Sequence, residues 1–285
     1  FGATPEVVWS LHPLLMPSRR AAQLVSIHDL YFLDHPEATT REVRRDYGPL
    51  VARHARRADG IITISEHTRA RIVSRLGVPA DRITVCYPGA PGWRVRDEPS
   101  VPGPILHVGT IEPRKNVAAL LSAYAALAAG GETPPLVFAG RVATPVDTLF
   151  PAGAPPWLRF RVTFRGYVTD GERLDLYRQA SMLVVPSADE GFGIPVLEAM
   201  ATGVPVVAAS RGSLPEVVAD AGLLADPDRE ADLAAAMRRL LDDPALRRDL
   251  AARGVARARR FNWDESAGRL LEACGRALAR RRAPA

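Results

Sequence analysis

The chain predicts an α/β protein built from two parallel-sheet domains, each with helices on both faces. Three observations predict it. Short apolar runs with little polar alternation recur along the sequence, as expected of strands buried on both sides, and helical stretches separate them. A stretch at 88–104, Pro-Gly-Ala-Pro-Gly-Trp-Arg-Val-Arg-Asp-Glu-Pro-Ser-Val-Pro-Gly-Pro, is too rich in proline and glycine to continue any element, so it reads as the hinge between domains. At least two later strands lead through a glycine turn directly into a helix, the corner that open α/β folds use to bind phosphates and sugars.

The elements follow in order. Strands are read at about 7–9, 24–27, 61–64 and 83–86, with helices at 40–57 and 66–76; Ser65 caps the second helix and Gly77 ends it. Beyond the hinge, strands fall near 105, 136, 162, 182, 205 and 222, alternating with helices. The helix at 117–129 has Asn116 at the N-cap, 229–241 and 244–259 form a helical tail, and Trp263 opens a last helix. The expected division is 1–98, 99–260 and 261–285. No tandem repeat is present.

A length of 285 residues with 47% hydrophobic and 24% charged content suits about two ordinary domains. The net charge of +5 does not by itself imply nucleic acid, and 6% aromatic content argues against a base-stacking platform, so no nucleic-acid partner is expected. Arginines at 41–57 and 247–260 read as solvated helix faces. The denser run at 276–282 suits peripheral contact with anionic lipid if the acceptor is membrane-anchored. Cys86 and Cys274 lack motif spacing and fit a reducing compartment. No apolar run approaches the ~18 residues of a membrane span, and no signal-type amino terminus is seen. The expected place is cytoplasmic, peripheral at the inner face of the membrane.

The richest segment runs from 187 to 205. Glu190 and Glu198 stand eight positions apart around Gly191-Phe192-Gly193, after the apolar run 182–185 and before a helix with Pro195 in its first turn. Each feature alone has a bland reading, since an early-helix glutamate suits the dipole and Gly-x-Gly is common. Together, two acids at different depths suit a polyhydroxylated ligand. A second corner, 105–116, carries Gly109, Thr110, Arg114 and Lys115, and Lys115 is the only lysine among 37 basic residues. A compact ammonium and a guanidinium fork at a helix start can share one diphosphate.

These segments resemble the retaining family 4 group of GT-B glycosyltransferases, with its mannosyltransferase-like members. The likeness rests on Val108-Gly-Thr-Ile-Glu-Pro-Arg-Lys-Asn116, Gly166-Tyr-Val168, Leu176-Tyr-Arg-Gln-Ala180, Pro186-Ser187, the Glu190 to Glu198 pair and Leu214-Pro-Glu-Val217. In the amino-terminal third it rests on Val25-Ser-Ile-His-Asp-Leu30, Pro36-Glu37 and 58–68. The resemblance implies two Rossmann-like domains facing across a cleft, the last helix crossing back to the first. It also implies transfer of a hexose from a nucleoside diphosphate sugar to a saccharide or lipid-linked acceptor in surface polysaccharide assembly. Arg114 and Lys115 would hold the diphosphate and Glu198 the ribose. Glu190 would contact the transferred sugar, the backbone at Gly191, Phe192 and Gly193 would bind sugar or phosphate, and Val168 would approach the base. His28 would stand near the reacting centre. The other histidines, His12, His35, His54, His67 and His107, read as packing or surface residues.

Retention is also inherited from the resemblance, through a front-face reaction in which the departing phosphate helps remove the acceptor proton. Metal-independent transfer without a cofactor is expected, on the reading that the chain has no Asp-x-Asp step, cysteine cluster or His-x-x-x-His pair with ligand spacing. Thr110 departs from relatives that carry arginine there. The first domain is shorter than the resemblance requires and begins with Phe1, so the chain is expected to be an amino-terminally truncated enzyme. Two alternatives stand beside transfer: a nucleotide-sugar-binding fragment without catalysis, and a GT-B sugar-nucleotide epimerase needing no acceptor.

Overall fold

Strands with no polar alternation need cover on both faces, and a parallel sheet flanked by helices supplies it. The computed structural model describes residues 5–98 and 103–282. They form two units, one of residues up to Gly89 together with the segment from Phe261, the other Ala90–Arg260. The first carries the parallel sheet β1-β2-β3-β4, made of Val7–Ser10, Ala22–Ser26, Gly60–Thr63 and Ile83–Val85. Its helices are α1 (Tyr31–Asp34), α2 (Gly48–Arg57) and α3 (Glu66–Leu76).

The helix expected at 40–57 runs over 41–57, with a π-helical stretch inside it. Residues Val43–Tyr47 form a π-helical segment, and α2 starts beside Pro49, whose ring nitrogen cannot donate to the preceding turn. Helix α3 keeps its expected bounds. The Ser65 hydroxyl accepts from the Thr68 N–H at 3.0 Å, and Gly77 closes the helix at φ +67°. On one face of the sheet Val25, Ile27, Ile61 and Ile83 pack with Ile72 and Leu76 of α3.

The second unit is a six-stranded parallel sheet in the order β10-β9-β8-β5-β6-β7. It runs β5 (Ile105–Val108), α4 (Val117–Ala129), β6 (Leu136–Ala139), α5 (Pro156–Arg161), β7 (Val162–Phe164), α6 (Asp170–Gln179) and β8 (Met182–Val185). Then follow α7 (Ile194–Thr202), β9 (Val206–Ala209), α8 (Leu214–Val218), β10 (Leu223–Ala225), α9 (Glu230–Asp242) and α10 (Pro244–Ala258). The chain adds β6 and β7 on one side of β5, then returns to add β8, β9 and β10 on the other. The strand order therefore reverses between β5 and β8. Open α/β sheets bind ligands beyond the carboxyl ends of the strands at such a reversal.

Two expectations change. Residues 90–98 belong with the second unit rather than ending the first domain, because the Arg96 N–H donates to the Thr202 carbonyl (3.1 Å) and its guanidinium to those of Gly203 (3.1 Å) and Ala180 (2.5 Å). Asn116 occupies the N-cap position of α4 but does not cap with its side chain. It lies in the left-handed region at φ +51°, and its amide donates instead to the Pro227 carbonyl at 3.0 Å.

The last helix, α11 (Trp263–Arg282), belongs to the first unit. Its Ala273 and Ala277 pack with Ala22, Leu24, Ile62 and Cys86 on the second face of that sheet. The four arginines of 276–282 are engaged there. Arg276 donates to the Thr84 hydroxyl (2.9 Å), Arg280 to Asp81 (2.6 Å) and Arg281 to the Arg19 carbonyl (2.7 Å), while Arg282 pairs with Glu6. Cys86 and Cys274 are free thiols that share this cluster, and burial raises both above the usual thiol range. Among the described residues no helix is long and apolar enough to cross a membrane.

Candidate active site

Both loops at the strand-order reversal carry acidic or basic groups singled out by sequence. After β8 the chain passes through 186–193 into α7, and Glu190 is 6% exposed there. Burying a carboxylate this deeply requires partners. The Lys115 ammonium donates to Glu190 Oε1 at 2.6 Å, and the Ser187 hydroxyl donates to the same oxygen at 2.7 Å. The Glu190 carbonyl accepts from both the N–H (3.1 Å) and the hydroxyl (3.0 Å) of Ser213. Gly212 makes that clamp possible: its φ is +61°, and a Cβ there would stand 2.6 Å from the Glu190 nitrogen. Gly193 has φ +101° and leads into α7, where a Cβ would meet Leu214 at 2.8 Å. Phe192 is 2% exposed.

The second loop follows β5. Gly109, at φ +148°, donates its N–H to the Ala139 carbonyl at 2.9 Å, and Thr110 follows half-buried. A 3-10 turn, Pro113–Lys115, presents the two cations before α4. They diverge. The Arg114 guanidinium contacts Glu112 at 3.2 Å while Lys115 reaches Glu190. Arg114 joins the two loops through its backbone instead, its carbonyl accepting from the Ala188 N–H at 2.9 Å. The corners that sequence reading brought to one ligand thus touch at a backbone bond and an ion pair.

Glu198 lies in α7, 7% exposed, and its pair differs from that of Glu190. Tyr177 donates to Oε2 at 2.9 Å and Arg173 pairs with Oε1 at 3.1 Å. The Arg173 guanidinium also lies over the Trp93 ring, 5.6 Å from its centroid. Burial raises the Glu198 carboxyl above the usual range despite Arg173 and Tyr177. Burial also pushes the Tyr177 hydroxyl well up, with the Glu198 charge adding to the shift.

His107, read as a packing residue, lies on β5 fully buried. Its Nδ1 is 2.9 Å from the Val184 carbonyl, which can only accept, so Nδ1 carries the proton. Burial, the largest cause, and the nearby Lys115 charge lower the ring to about 4. The imidazole is neutral at ordinary pH.

Val168 is 8% exposed, so its side chain is packed, whereas Tyr167 beside it is 83% exposed and Gly166 takes φ +70°. His28 belongs to the first unit, exposed two residues beyond β2, and its carbonyl accepts from the Thr68 hydroxyl at 3.2 Å. The expected absence of an Asp-x-Asp step is wrong, because Asp226-Pro-Asp228 is one. Asp226 accepts from the Asp228 N–H at 3.1 Å, and Arg211 contacts Asp228 at 2.5 Å and Asp226 at 3.9 Å. Among the described residues no group of three or more His, Cys, Asp or Glu could hold a metal.

Ser187, Gly212, Ser213, Arg173 and Tyr177 support the acids but were given no role from sequence. A serine three positions before the first acid was the one available signal.

Comparison with known proteins identifies the family. The glycosyl transferases group 1 family matches residues 96–257, and Glycosyltransferase Family 4 matches residues 3–91. The O-antigen chain mannosyltransferase B of Escherichia coli is 32% identical over 271 residues, covering 90% of this chain and 71% of that protein. The serotype-specific mannosyltransferase WbdA of Escherichia coli is 30% identical over 238 residues, 78% of this chain but only 29% of that protein. Among solved structures, sucrose-phosphate synthase from Thermosynechococcus elongatus aligns with a TM-score of 0.75 at 25% identity, over 92% of this chain and 69% of that one. HepE of Anabaena, solved with UDP-glucose, aligns with a TM-score of 0.73 at 21% identity, over 89% and 73%. The chain belongs to the group 1 glycosyltransferases and has the GT-B type of fold, two parallel-sheet Rossmann-like domains.

Proposed function

We propose that this enzyme transfers a mannosyl group from a nucleoside diphosphate sugar to a saccharide or lipid-linked acceptor in surface polysaccharide assembly, with retention and without a metal. The observation that carries the proposal is the Lys115 to Glu190 contact of 2.6 Å, which joins the two loops at the strand-order reversal. The mannosyl choice follows the named activity of the Escherichia coli relatives.

The chemistry follows from charge. Breaking the bond between C1 and the phosphate oxygen leaves the electron pair on a diphosphate, and preorganised cations stabilise that charge with little rearrangement. Lys115 supplies the cation. The amino-terminal end of α7 adds about 0.3–1 kcal/mol at an exposed site. Arg114, released from Glu112, adds a second charge. Glu190 binds a sugar hydroxyl as it exchanges the ammonium for the donor. The acceptor oxygen then bonds to C1 on the face the phosphate leaves, and its proton passes to the departing phosphate oxygen. Glu198, held by Tyr177 and Arg173, takes the ribose hydroxyls.

Incubating the purified chain with GDP- and UDP-sugars, with and without mannan-type acceptors, tests the proposal. Acceptor-dependent release of nucleoside diphosphate with an α-linked product is expected. Sugar isomerisation without acceptor, or donor binding without product, would replace it.

Glu198 yields a separate expectation. Its folded-state carboxyl is raised, so the fold favours the protonated form, and ionisation costs stability as pH rises from the unfolded value of about 4.3. That cost is in full above the raised folded value. Glu198→Gln is therefore expected to leave the melting temperature at neutral pH equal or higher, while weakening donor binding about tenfold through the lost charge-assisted bonds. Calorimetric titration with donor and a thermal melt check both halves, and unchanged donor affinity would remove Glu198 from the site.

A further inference from the structure

His107 has an atom that the fold leaves without a partner. Its ring is fully buried, Nδ1–H is committed to the Val184 carbonyl at 2.9 Å, and Nε2 is buried with no hydrogen bond. An acceptor left bare in a packed interior costs stability, so its retention calls for a partner at some stage of function. The surroundings point to one. A Cβ at Gly109 would stand 3.8 Å from His107 Nε2 and 3.9 Å from Lys115 Cε, so the lone pair and the end of the lysine border the same bare glycine.

We propose that His107 is a positioning residue that offers Nε2 as an acceptor to the Lys115 ammonium when Glu190 turns from the lysine to the sugar. The proposal rests on the transferase reading for its consequence, though not for its geometry. The Lys115 ammonium has three donors, and Glu190 Oε1 takes one in the structure. If Glu190 departs without replacement, a four-carbon stem is free to swing, and the charge loses its place above the diphosphate. A neutral acceptor fixed from below holds the nitrogen without cancelling its charge. The tether to Val184 sets the tautomer that makes Nε2 an acceptor, much as the second nitrogen of a metal-bound histidine is fixed by its outer partner. The lysine, the histidine and the glycine between them then act as one unit on β5 and its loop.

Two substitutions separate the acceptor from the tether. Gln at 107 places its amide near the Nε2 position, while Asn places its own near Nδ1, where it can still donate to Val184. His107→Asn is expected to lower kcat about 10- to 100-fold with little change in donor KM, and His107→Gln to stay within a few-fold of wild type. The reverse order, or wild-type kcat in both, overturns the proposal. A ligand-free measurement covers the case in which neither variant folds. In protein labelled with ¹⁵N-histidine, Glu190→Gln removes the competing charge, and the His107 Nε2 resonance is expected to move toward the hydrogen-bonded range. The move should vanish when Lys115→Met is added. An Nε2 signal identical in both variants overturns the role whatever the enzyme does, while absence of transfer by wild type with the Nε2 response intact overturns only the transferase reading.

Discussion

Replacing Lys115 with alanine is expected to lower transfer by about 10²- to 10³-fold, the loss typical when one preorganised donor to a developing charge is removed. Lys115 is the only lysine in the chain, its side chain is 13% exposed, and its nitrogen sits 2.6 Å from a carboxylate that is itself 8% exposed. An ion pair so deeply held stabilises only when both partners are present, so removing one leaves Glu190 charged and under-compensated. The Ser187 hydroxyl, 2.7 Å from the same oxygen, limits that cost. Loss of rate and loss of stability therefore have to be separated. Lys115→Arg does this: it keeps a positive charge against Glu190, yet its planar fork cannot place one nitrogen where the ammonium stands. Lys115→Arg is expected to recover most of the melting temperature and little of kcat/KM. Wild-type kcat/KM in Lys115→Ala, measured with saturating acceptor, would remove the lysine from the reaction.

Much of the architecture could be read from the chain because strand-forming runs were almost uniformly apolar and the helix boundaries carried their own chemistry. Ser65 and Gly77 bound α3 as predicted, and Trp263 opens α11. Long-range order was not legible. That β8 lies beside β5 depends on which way the chain turns after β7, and no local residue records that choice. Once the order reverses between those strands, the meeting of Lys115 and Glu190, 75 positions apart, follows from topology. Asn116 has the composition of a cap, but a carbonyl 111 residues away competes for its amide and wins. Adjacency of the cations at 114 and 115 does not record the direction of their side chains. In space one turns to Glu112 and the other to Glu190. His107 packs inside an apolar run, in line with its reading as a packing residue, and its bare Nε2 is visible only once burial and partners are known.

Gly140→Ala is expected to destabilise the second unit by about 3 kcal/mol or more, among the largest costs of any single methyl in the chain. Gly140 directly follows β6 at φ +145°, and a Cβ there would lie 2.0 Å from the Gly109 carbonyl oxygen and 2.5 Å from its carbon. Both contacts are backbone, so no rotamer change relieves them. The two glycines are also stitched into the sheet, Gly109 donating to Ala139 at 2.9 Å and Gly140 to Gly166 at 2.8 Å, so neither loop can withdraw without breaking a ladder bond. Gly131 supplies the control: its φ is +150°, but nothing lies within 4 Å of an added Cβ. Gly131→Ala carries the backbone strain alone, about 1–3 kcal/mol, and the excess in Gly140→Ala measures the collision. Denaturant unfolding of the two variants checks the difference, and equal midpoints would mean that the β5 and β6 loops do not touch. The consequence reaches the active site through one residue. Any shift of Gly109 that admits the methyl moves the glycine bordering both Lys115 and His107, so a folded fraction of Gly140→Ala should lose transfer beyond its loss of stability.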